Sequence, residues 1–231
     1  MPLNTVDRSL DNANEVSNRS DSGYTSIDHK MISLYQTIIS TAGDETGKVF
    51  QFISCNPEEG CSRIVRQLGR TISDKLGKSV LIIDTNTPHV QAEALNVSPK
   101  SDIESCLLNP LSLEKAITPV AGTKLHLAVL SSTSGRHPTK ADSGDLETIL
   151  KDLSEKFDMI LIDSPPASES AQGLTIAPKV GGTIIVIEAA KTRWQVVAGL
   201  QEKIEKYGGT IMGVVLNKRR DYIPKFIYDR I

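Results

Sequence analysis

Six short runs of aliphatic residues, separated by charged stretches with helical patterning, constrain the fold of this chain more than any other feature. The runs are rich in Val and Ile, and several are apolar at consecutive positions, which is typical of strands buried on both faces. They are VFQFIS (49–54), SVLIID (79–84), LHLAVL (125–130), FDMILID (157–163), GTIIVIE (182–188) and TIMGVVLN (210–217). Strands that alternate with helices predict an α/β fold, a single domain with a doubly wound, mainly parallel sheet.

The beginning of the chain has a different composition. Residues 1–27 are rich in Asn, Ser and Asp and contain little that a core could bury, so we predict a flexible tail there. Apolar residues at helical spacing then predict a short leading helix from Ile27 to Ile39. The folded domain is predicted to cover residues 28–231, without an internal repeat or a linker.

Charge and hydropathy exclude several classes of protein. With 26 basic and 28 acidic residues, the chain has no overall field that would attract nucleic acid or acidic lipid. Three cysteines do not form the disulfide framework of a small secreted protein. We find neither a signal peptide nor a run of about 20 apolar residues. We therefore predict a cytoplasmic protein that binds no nucleic acid and reaches a membrane only through a partner.

Three loops at the carboxyl ends of the predicted strands carry residues that suit phosphate chemistry. The first strand continues into SCNPEEGCS, which keeps Gly60 and Ser62 of the Walker A pattern GxxxxGK[ST] but has Cys61 at the lysine position. Asp84 and Asp163 end two further strands, where an acidic pair and a serine hydroxyl can hold Mg²⁺. Each loop alone also fits an ordinary turn or cap. Together they predict a nucleotide-binding fold of the P-loop NTPase type.

The order of these segments resembles the cytoplasmic domain of the bacterial tyrosine kinases (BY-kinases), which act in capsule and exopolysaccharide assembly and are distant relatives of the MinD and ParA ATPases. The loop of that family reads S-x-x-P-x-E-G-K-S, and this chain has Ser54, Pro57, Glu59, Gly60 and Ser62 of it. The similarity extends from about Lys48 to the end. The PxEG loop and the closing VVLN…YIPKFIY are its most specific parts.

The resemblance implies ATP and Mg²⁺ as cofactors and assigns their binding residues. The nucleotide-binding positions are Pro57, Glu59, Gly60, Cys61, Ser62, Arg63 and Asn217, and the Mg²⁺ ligands are Ser62, Asp84 and Asp163. In an active enzyme Asp84 would also help to activate the attacking hydroxyl. Asn217 either reads adenine or simply ends its strand. The implied partner is a membrane-embedded polysaccharide co-polymerase, which would recruit the chain to the inner face of the membrane, and self-association is a further implication.

The chain departs from the family pattern in its catalytic parts. Cys61 cannot neutralise phosphate charge as a lysine does, and Arg63 lies about 200° around the helix axis from that position. The D-x-D motif is reduced to Asp84-Thr85-Asn86, and the arginine that follows it in the family is missing. Only Tyr222 and Tyr228 stand where the family has a tyrosine cluster, and the leading helix lacks the E-x-x-R pattern of oligomer contacts. A thiol at a helix start could instead serve as a reactive thiolate.

Three functional hypotheses follow. The favoured one is a degenerate BY-kinase-like protein that serves as a regulatory or scaffold component of exopolysaccharide biosynthesis, with weak or absent ATP turnover. The alternative is an active ATP-dependent protein-tyrosine autokinase of the same system. A second alternative is a positioning ATPase like MinD or ParA, although the loop has no KGGxGK sequence and the chain end has no amphipathic membrane helix.

Overall fold

The computed structural model describes residues 5–10, 25–43, 47–104, 113–131 and 140–219. The strands within these ranges are β1 (Thr5–Leu10), β2 (Val49–Ser54), β3 (Val80–Asp84), β4 (Thr118–Pro119), β5 (Leu125–Val129), β6 (Met159–Asp163), β7 (Gly182–Glu188) and β8 (Ile211–Asn217). The helices are α1 (Ser26–Ala42), α2 (Cys61–Leu76), α3 (Val90–Leu95), α4 (Leu113–Ala116), α5 (Lys140–Lys156), α6 (Gln172–Ile176) and α7 (Trp194–Lys206), and a 3₁₀ turn covers Ala177–Lys179.

These strands form one sheet in the order β1-β8-β7-β2-β6-β3-β5-β4. All neighbouring pairs are parallel except β4 and β5. The predicted α/β fold with a mainly parallel sheet is therefore confirmed. The order places β2, β6 and β3 side by side near the middle of the sheet, so their carboxyl ends meet at one edge, where ligands of such folds bind.

Both faces of the sheet are buried, which explains the consecutive apolar residues of its strands. Ile82 and Leu161 belong to a core cluster that also contains the apolar faces of α1 and α2. Their chain neighbours Leu81 and Ile160 belong to a second cluster, which includes buried leucines of α5. Helices thus cover the sheet from both sides, as a doubly wound fold requires.

The N-terminal region differs in part from its prediction. Thr5–Leu10 forms β1 and pairs in parallel with β8, so a flexible tail over residues 1–27 is wrong for this strand. The prediction failed because these residues are mostly polar and their pairing partner lies at the far end of the sequence. Residues 11–24 lie outside the described ranges, and flexibility there stays a prediction. In the part of the chain that the structure describes, none of the helices has the length and apolar character needed to cross a membrane.

The leading helix is confirmed and begins at Ser26. Its start is fixed by a capping box, in which Thr25 Oγ1 accepts a hydrogen bond from the Asp28 backbone N–H at 3.1 Å. In return, Asp28 Oδ2 accepts one from the Thr25 N–H at 2.8 Å. Reciprocal bonds of this kind satisfy two backbone donors that a helix start otherwise leaves unpaired.

Candidate nucleotide site

Glu59 holds the loop between β2 and α2 in shape. Its Oε2 atom accepts hydrogen bonds from the backbone N–H groups of Cys55 at 2.8 Å and Asn56 at 3.0 Å. Its Oε1 atom accepts one from the hydroxyl of Thr192, in the loop between β7 and α7. The side chain is only 3% exposed. This carboxylate is therefore part of the loop framework, and its predicted contact with nucleotide stays a prediction.

Three hydrogen bonds form what we call the loop clamp, namely Glu59–Thr192, Asn217–Glu59 and Lys218–Glu58. Asn217 Nδ2 donates to the main-chain carbonyl of Glu59 at 2.8 Å, and Lys218 Nζ donates to that of Glu58 at 2.6 Å. Asn217 is buried at the end of β8. Its amide N–H thus fastens the loop, while a role in reading adenine remains a prediction.

Gly60 precedes α2 with a φ of +90°, in the left-handed region that favours glycine. A Cβ added here would clash with Asn217 Nδ2. Gly77, at the other end of the same helix, has a φ of +65° and nothing within 4 Å of an added Cβ. Alanine substitutions at the two glycines can therefore distinguish the effect of backbone strain from that of crowding by Asn217.

We expect Gly60→Ala to lower the free energy of unfolding by more than Gly77→Ala does. Left-handed backbone costs a non-glycine residue about 1–2 kcal/mol, and Gly77→Ala should lose no more than that. Gly60→Ala should lose about 1 kcal/mol in addition, because Asn217 must shift and its hydrogen bond is lost. Urea denaturation of both variants measures the difference, and equal losses would contradict the proposed contact.

Cys61 is the first residue of α2 and is only 6% exposed. Burial raises the pKa of its thiol well above the usual value, and the nearby carboxylates of Asp163 and Glu59 raise it further. The thiol therefore stays protonated and neutral. Burial and the two acidic neighbours therefore count against the hypothesis of a reactive thiolate. Cys55 is similar, since burial and Glu59 raise its pKa to about 12.

Asp84 and Asp163 end the adjacent strands β3 and β6 and are register partners. Both side chains are fully buried. Their proximity confirms the expectation that the loops at the carboxyl ends of the strands bring these acids together. Asp84 Oδ1 accepts hydrogen bonds from the Asn86 backbone N–H at 3.0 Å and from its side-chain amide at 2.8 Å. Asp84 Oδ2 accepts one from the Gln91 backbone N–H at 2.8 Å.

The carboxylate of Asp163 has fewer hydrogen-bond partners among the described residues than that of Asp84. Its Oδ2 atom accepts a hydrogen bond from Gln91 Nε2 at 2.7 Å. Its Oδ1 atom makes no hydrogen bond of ordinary geometry within the described ranges, although the Ser62 hydroxyl and the Cys61 thiol lie close enough to favour the charged form. Burial raises the pKa of Asp163 to about 7, and the charge of Asp84 adds to this increase. The buried acid therefore holds a proton far more tightly than an exposed one.

Gln91 and Arg66 belong to the site but were missed in the sequence. Gln91 Nε2 donates to the Ser62 carbonyl at 2.7 Å, and Gln91 Oε1 accepts from Arg66 Nη1 at 3.1 Å. Burial and repulsion from Arg70 lower the pKa of Arg66, while Asp163 opposes this change. Arg66 could have been found, since it lies four residues after Ser62 on the same face of a helix. No sequence pattern pointed to Gln91.

The remaining predicted residues lie around the loop. Pro57 is exposed, and Ser62 is partly exposed at the second position of α2. Arg63 is also partly exposed, and among the described residues it makes no hydrogen bond or ion pair. Tyr222 and Tyr228 lie outside the described residues.

The site fits Mg²⁺ and phosphate in part. Asp163 offers a buried carboxylate oxygen, Oδ1, beside the Ser62 hydroxyl, and hard oxygen ligands suit Mg²⁺. Because the N-cap Gly60 has no side chain, α2 begins without a side-chain cap, which suits an anion at the helix start. The structure describes no group of three or more His, Cys, Asp or Glu side chains suited to a metal ion. A cation would therefore depend on the two carboxylates, the hydroxyl and the phosphates themselves.

Comparison with known proteins gives this geometry a context. The chain is 30% identical over 166 residues to the tyrosine-protein kinase ptk of Acinetobacter johnsonii, covering 70% of this chain and 22% of that protein. It is 27% identical over 183 residues to the tyrosine-protein kinase YwqD of Bacillus subtilis (strain 168), covering 77% and 75%. This chain is a homologue of the bacterial tyrosine-protein kinases. No family model matches it.

Solved structures show that the likeness extends to the fold. The chimerical protein CapA2B2 superposes with a TM-score of 0.71 and 20% identity, covering 87% of this chain and 88% of that one. The cell division ATPase MinD of Pyrococcus furiosus superposes with a TM-score of 0.59 and 21% identity, covering 79% and 78%. The fold is thus that of the P-loop NTPases, and the resemblance stated from the sequence is confirmed.

Proposed function

We propose that this tyrosine-kinase homologue is a regulatory or scaffold component of an exopolysaccharide (capsule) system and has weak or absent ATP turnover. The observation that carries the proposal is the buried, neutral thiol of Cys61 at the start of α2. A Walker A lysine at this position neutralises charge on the β- and γ-phosphates. A protonated thiol supplies no charge, so both nucleotide affinity and phosphoryl transfer should suffer.

The acidic side of the site supports the same proposal. Asp84 accepts hydrogen bonds from Asn86 and Gln91, and Asp163 accepts one from Gln91. Asp163 has a pKa of about 7, so near neutral pH a substantial fraction of it carries a proton that a metal would have to displace. With these hydrogen bonds and this proton, the two acids are stable without a metal ion, which disfavours Mg²⁺ binding.

The chain keeps residues that would hold the cofactor if it binds. Ser62, Asp84 and Asp163 would hold Mg²⁺, and the backbone from Gly60 to Arg63 would face the phosphates. When bound, Mg²⁺ would neutralise negative charge on the phosphates. We expect such binding to be weak, because the chain offers no lysine at position 61.

One observation favours the alternative of an active tyrosine autokinase. The half-buried guanidinium of Arg66 lies close enough to Asp163 for an electrostatic interaction and reaches Gln91 at the edge of the site. A rotation of this side chain toward bound phosphates would restore one positive charge. The homologues named tyrosine-protein kinases agree with this alternative as well.

The proposed partner is a membrane-embedded polysaccharide co-polymerase, which would hold the chain at the cytoplasmic face of the membrane. Trp194 and Val196, at the start of α7, are 55% and 44% exposed. Exposed aromatic side chains are frequent anchors in protein interfaces. We therefore propose the start of α7, with Trp194 and Val196, as the surface to mutate first in a binding assay with a co-polymerase.

Calorimetry of the full chain with Mg·ATP, followed by mass spectrometry for phosphotyrosine, tests the proposed function. We expect affinity weaker than micromolar and no phosphorylated tyrosine. Micromolar affinity with phosphate on Tyr222 or Tyr228 would overturn the proposal in favour of the autokinase. In that case Arg66→Met should abolish the phosphorylation, whereas Arg70→Met, which changes an exposed arginine one turn further along α2, should not.

A further inference from the structure

We propose that the side chain of Gln91 occupies Oδ2 of Asp163, one of the two oxygens through which this carboxylate would hold a divalent cation, and so stabilises the site in the absence of metal and nucleotide. The inference rests on the proposed weak use of nucleotide, since it names the contact that regulates the same site.

The geometry shows how an amide replaces a cation. Both acceptors that face Gln91 Nε2, namely Asp163 Oδ2 and the Ser62 carbonyl, lie at 2.7 Å. An amide nitrogen carries two N–H donors, so both are used, while Oε1 accepts from Arg66 at 3.1 Å. Only this orientation of the amide satisfies the contacts, because the arginine can only donate and the Ser62 carbonyl can only accept.

The backbone of Gln91 strengthens the arrangement. Its N–H group donates to Asp84 Oδ2 at 2.8 Å, so one residue contacts both acids. The residue is completely buried. A cation that approaches Asp163 through Oδ2 must break the bonds of Gln91 or move the start of α3. Gln91 should therefore lower the affinity of the site for cations while it stabilises the empty form.

Gln51 provides a matched control on the neighbouring strand β2. It is also completely buried, and its Nε2 atom donates to Ser164 Oγ and to the Gly173 carbonyl, both at 2.8 Å. Its Oε1 atom accepts from the Thr183 hydroxyl at 3.0 Å. It has the same number of side-chain hydrogen bonds as Gln91 but makes none to Asp84 or Asp163. A variant without this amide therefore shows how far cation binding changes when a buried hydrogen-bond network that does not involve the two acids is removed.

The test is a titration of the full chain with Mn²⁺ in the absence of nucleotide. The EPR signal of free Mn²⁺ measures how much of the ion remains unbound. Methionine keeps the length of glutamine but has no amide, so Gln91→Met should bind Mn²⁺ at least tenfold more tightly than the wild type. Gln51→Met should match the wild type. Adding Asp163→Asn to Gln91→Met should abolish the gain.

Equal Mn²⁺ affinity in Gln91→Met and the wild type would overturn the inference, as would an equal gain in Gln51→Met. If Gln91→Met does not fold, Gln91→Glu replaces it, because a carboxylate beside Asp163 should make the melting temperature rise with Mn²⁺ far more than in the wild type. An unchanged response would also overturn the inference. The Mn²⁺ titration contains no nucleotide, so its outcome does not depend on whether the chain transfers phosphate. Phosphoryl transfer by the wild type, measured separately, would refute the proposed function but not the role of Gln91.

Discussion

Between about pH 5 and about pH 8, the free energy of unfolding should fall by roughly 3 kcal/mol because of Asp163 alone. Burial and the charge of Asp84 raise the pKa of this carboxyl group from 3.8 to about 7 in the folded protein. The folded state therefore binds the proton more tightly than the unfolded state does. This stabilisation is complete below the unfolded pKa and is lost as the pH rises through about 7.

Urea denaturation over this pH range, in buffer with a chelator, measures the effect in the wild type and in Asp163→Asn. The difference between the two proteins reports Asp163 together with its interaction with Asp84, because the titrating groups elsewhere are common to both. Among these, Asp28, Asp158 and Glu188 have lowered pKa values, so their contributions change at more acidic pH. A difference that does not vary with pH would refute the raised pKa of Asp163.

Cys61→Lys should increase the affinity for Mg·ATP by tenfold or more. Removing one partner of a buried charge pair typically costs about 2–5 kcal/mol, and about 1.4 kcal/mol already corresponds to a factor of ten in Kd. The carboxylates of Asp163 and Glu59, which raise the pKa of the present thiol, would attract the ammonium group. Restoring the cation should therefore be tolerated at this position.

Calorimetry with Mg·ATP measures the gain, and Cys61→Met is the control because it has a similar length without charge. The double variant Cys61→Lys with Arg63→Thr shows whether Arg63 contributes. If Cys61→Lys and Cys61→Met bind ATP equally well, the site is closed for reasons other than the missing lysine. The new ammonium should also lower the pKa of Asp163 and reduce the decrease in stability between about pH 5 and about pH 8.

The framework of the site was predictable because its signals are local. Consecutive β-branched residues placed each predicted strand within about two residues of its position in the structure, and the rule for carboxyl ends brought Asp84 and Asp163 together. The substitution at Cys61 was visible as a departure from a short motif. For these residues, neighbours in the sequence define the structural environment.

The missed residues depend on contacts between distant segments. Gln91 follows no motif, and its importance arises only because the start of α3 lies against Ser62 and Asp163. Thr192 likewise becomes part of the site by touching Glu59 across the fold. Asn217 was predicted as a site residue, but its contact with Glu59 was not. β1 has weak strand character by itself and depends on β8 for pairing. No pattern within one segment could reveal such partnerships.

The loop clamp has a consequence for local motions. Because Glu59, Thr192 and Asn217 join three chain segments through hydrogen bonds, none of these segments can open far without releasing the others. Amide protons in the turn before α2 and in the two turns that follow β7 and β8 should therefore exchange with solvent at a common rate, as one cooperative unit. A ligand at the first turn would then slow exchange in all three.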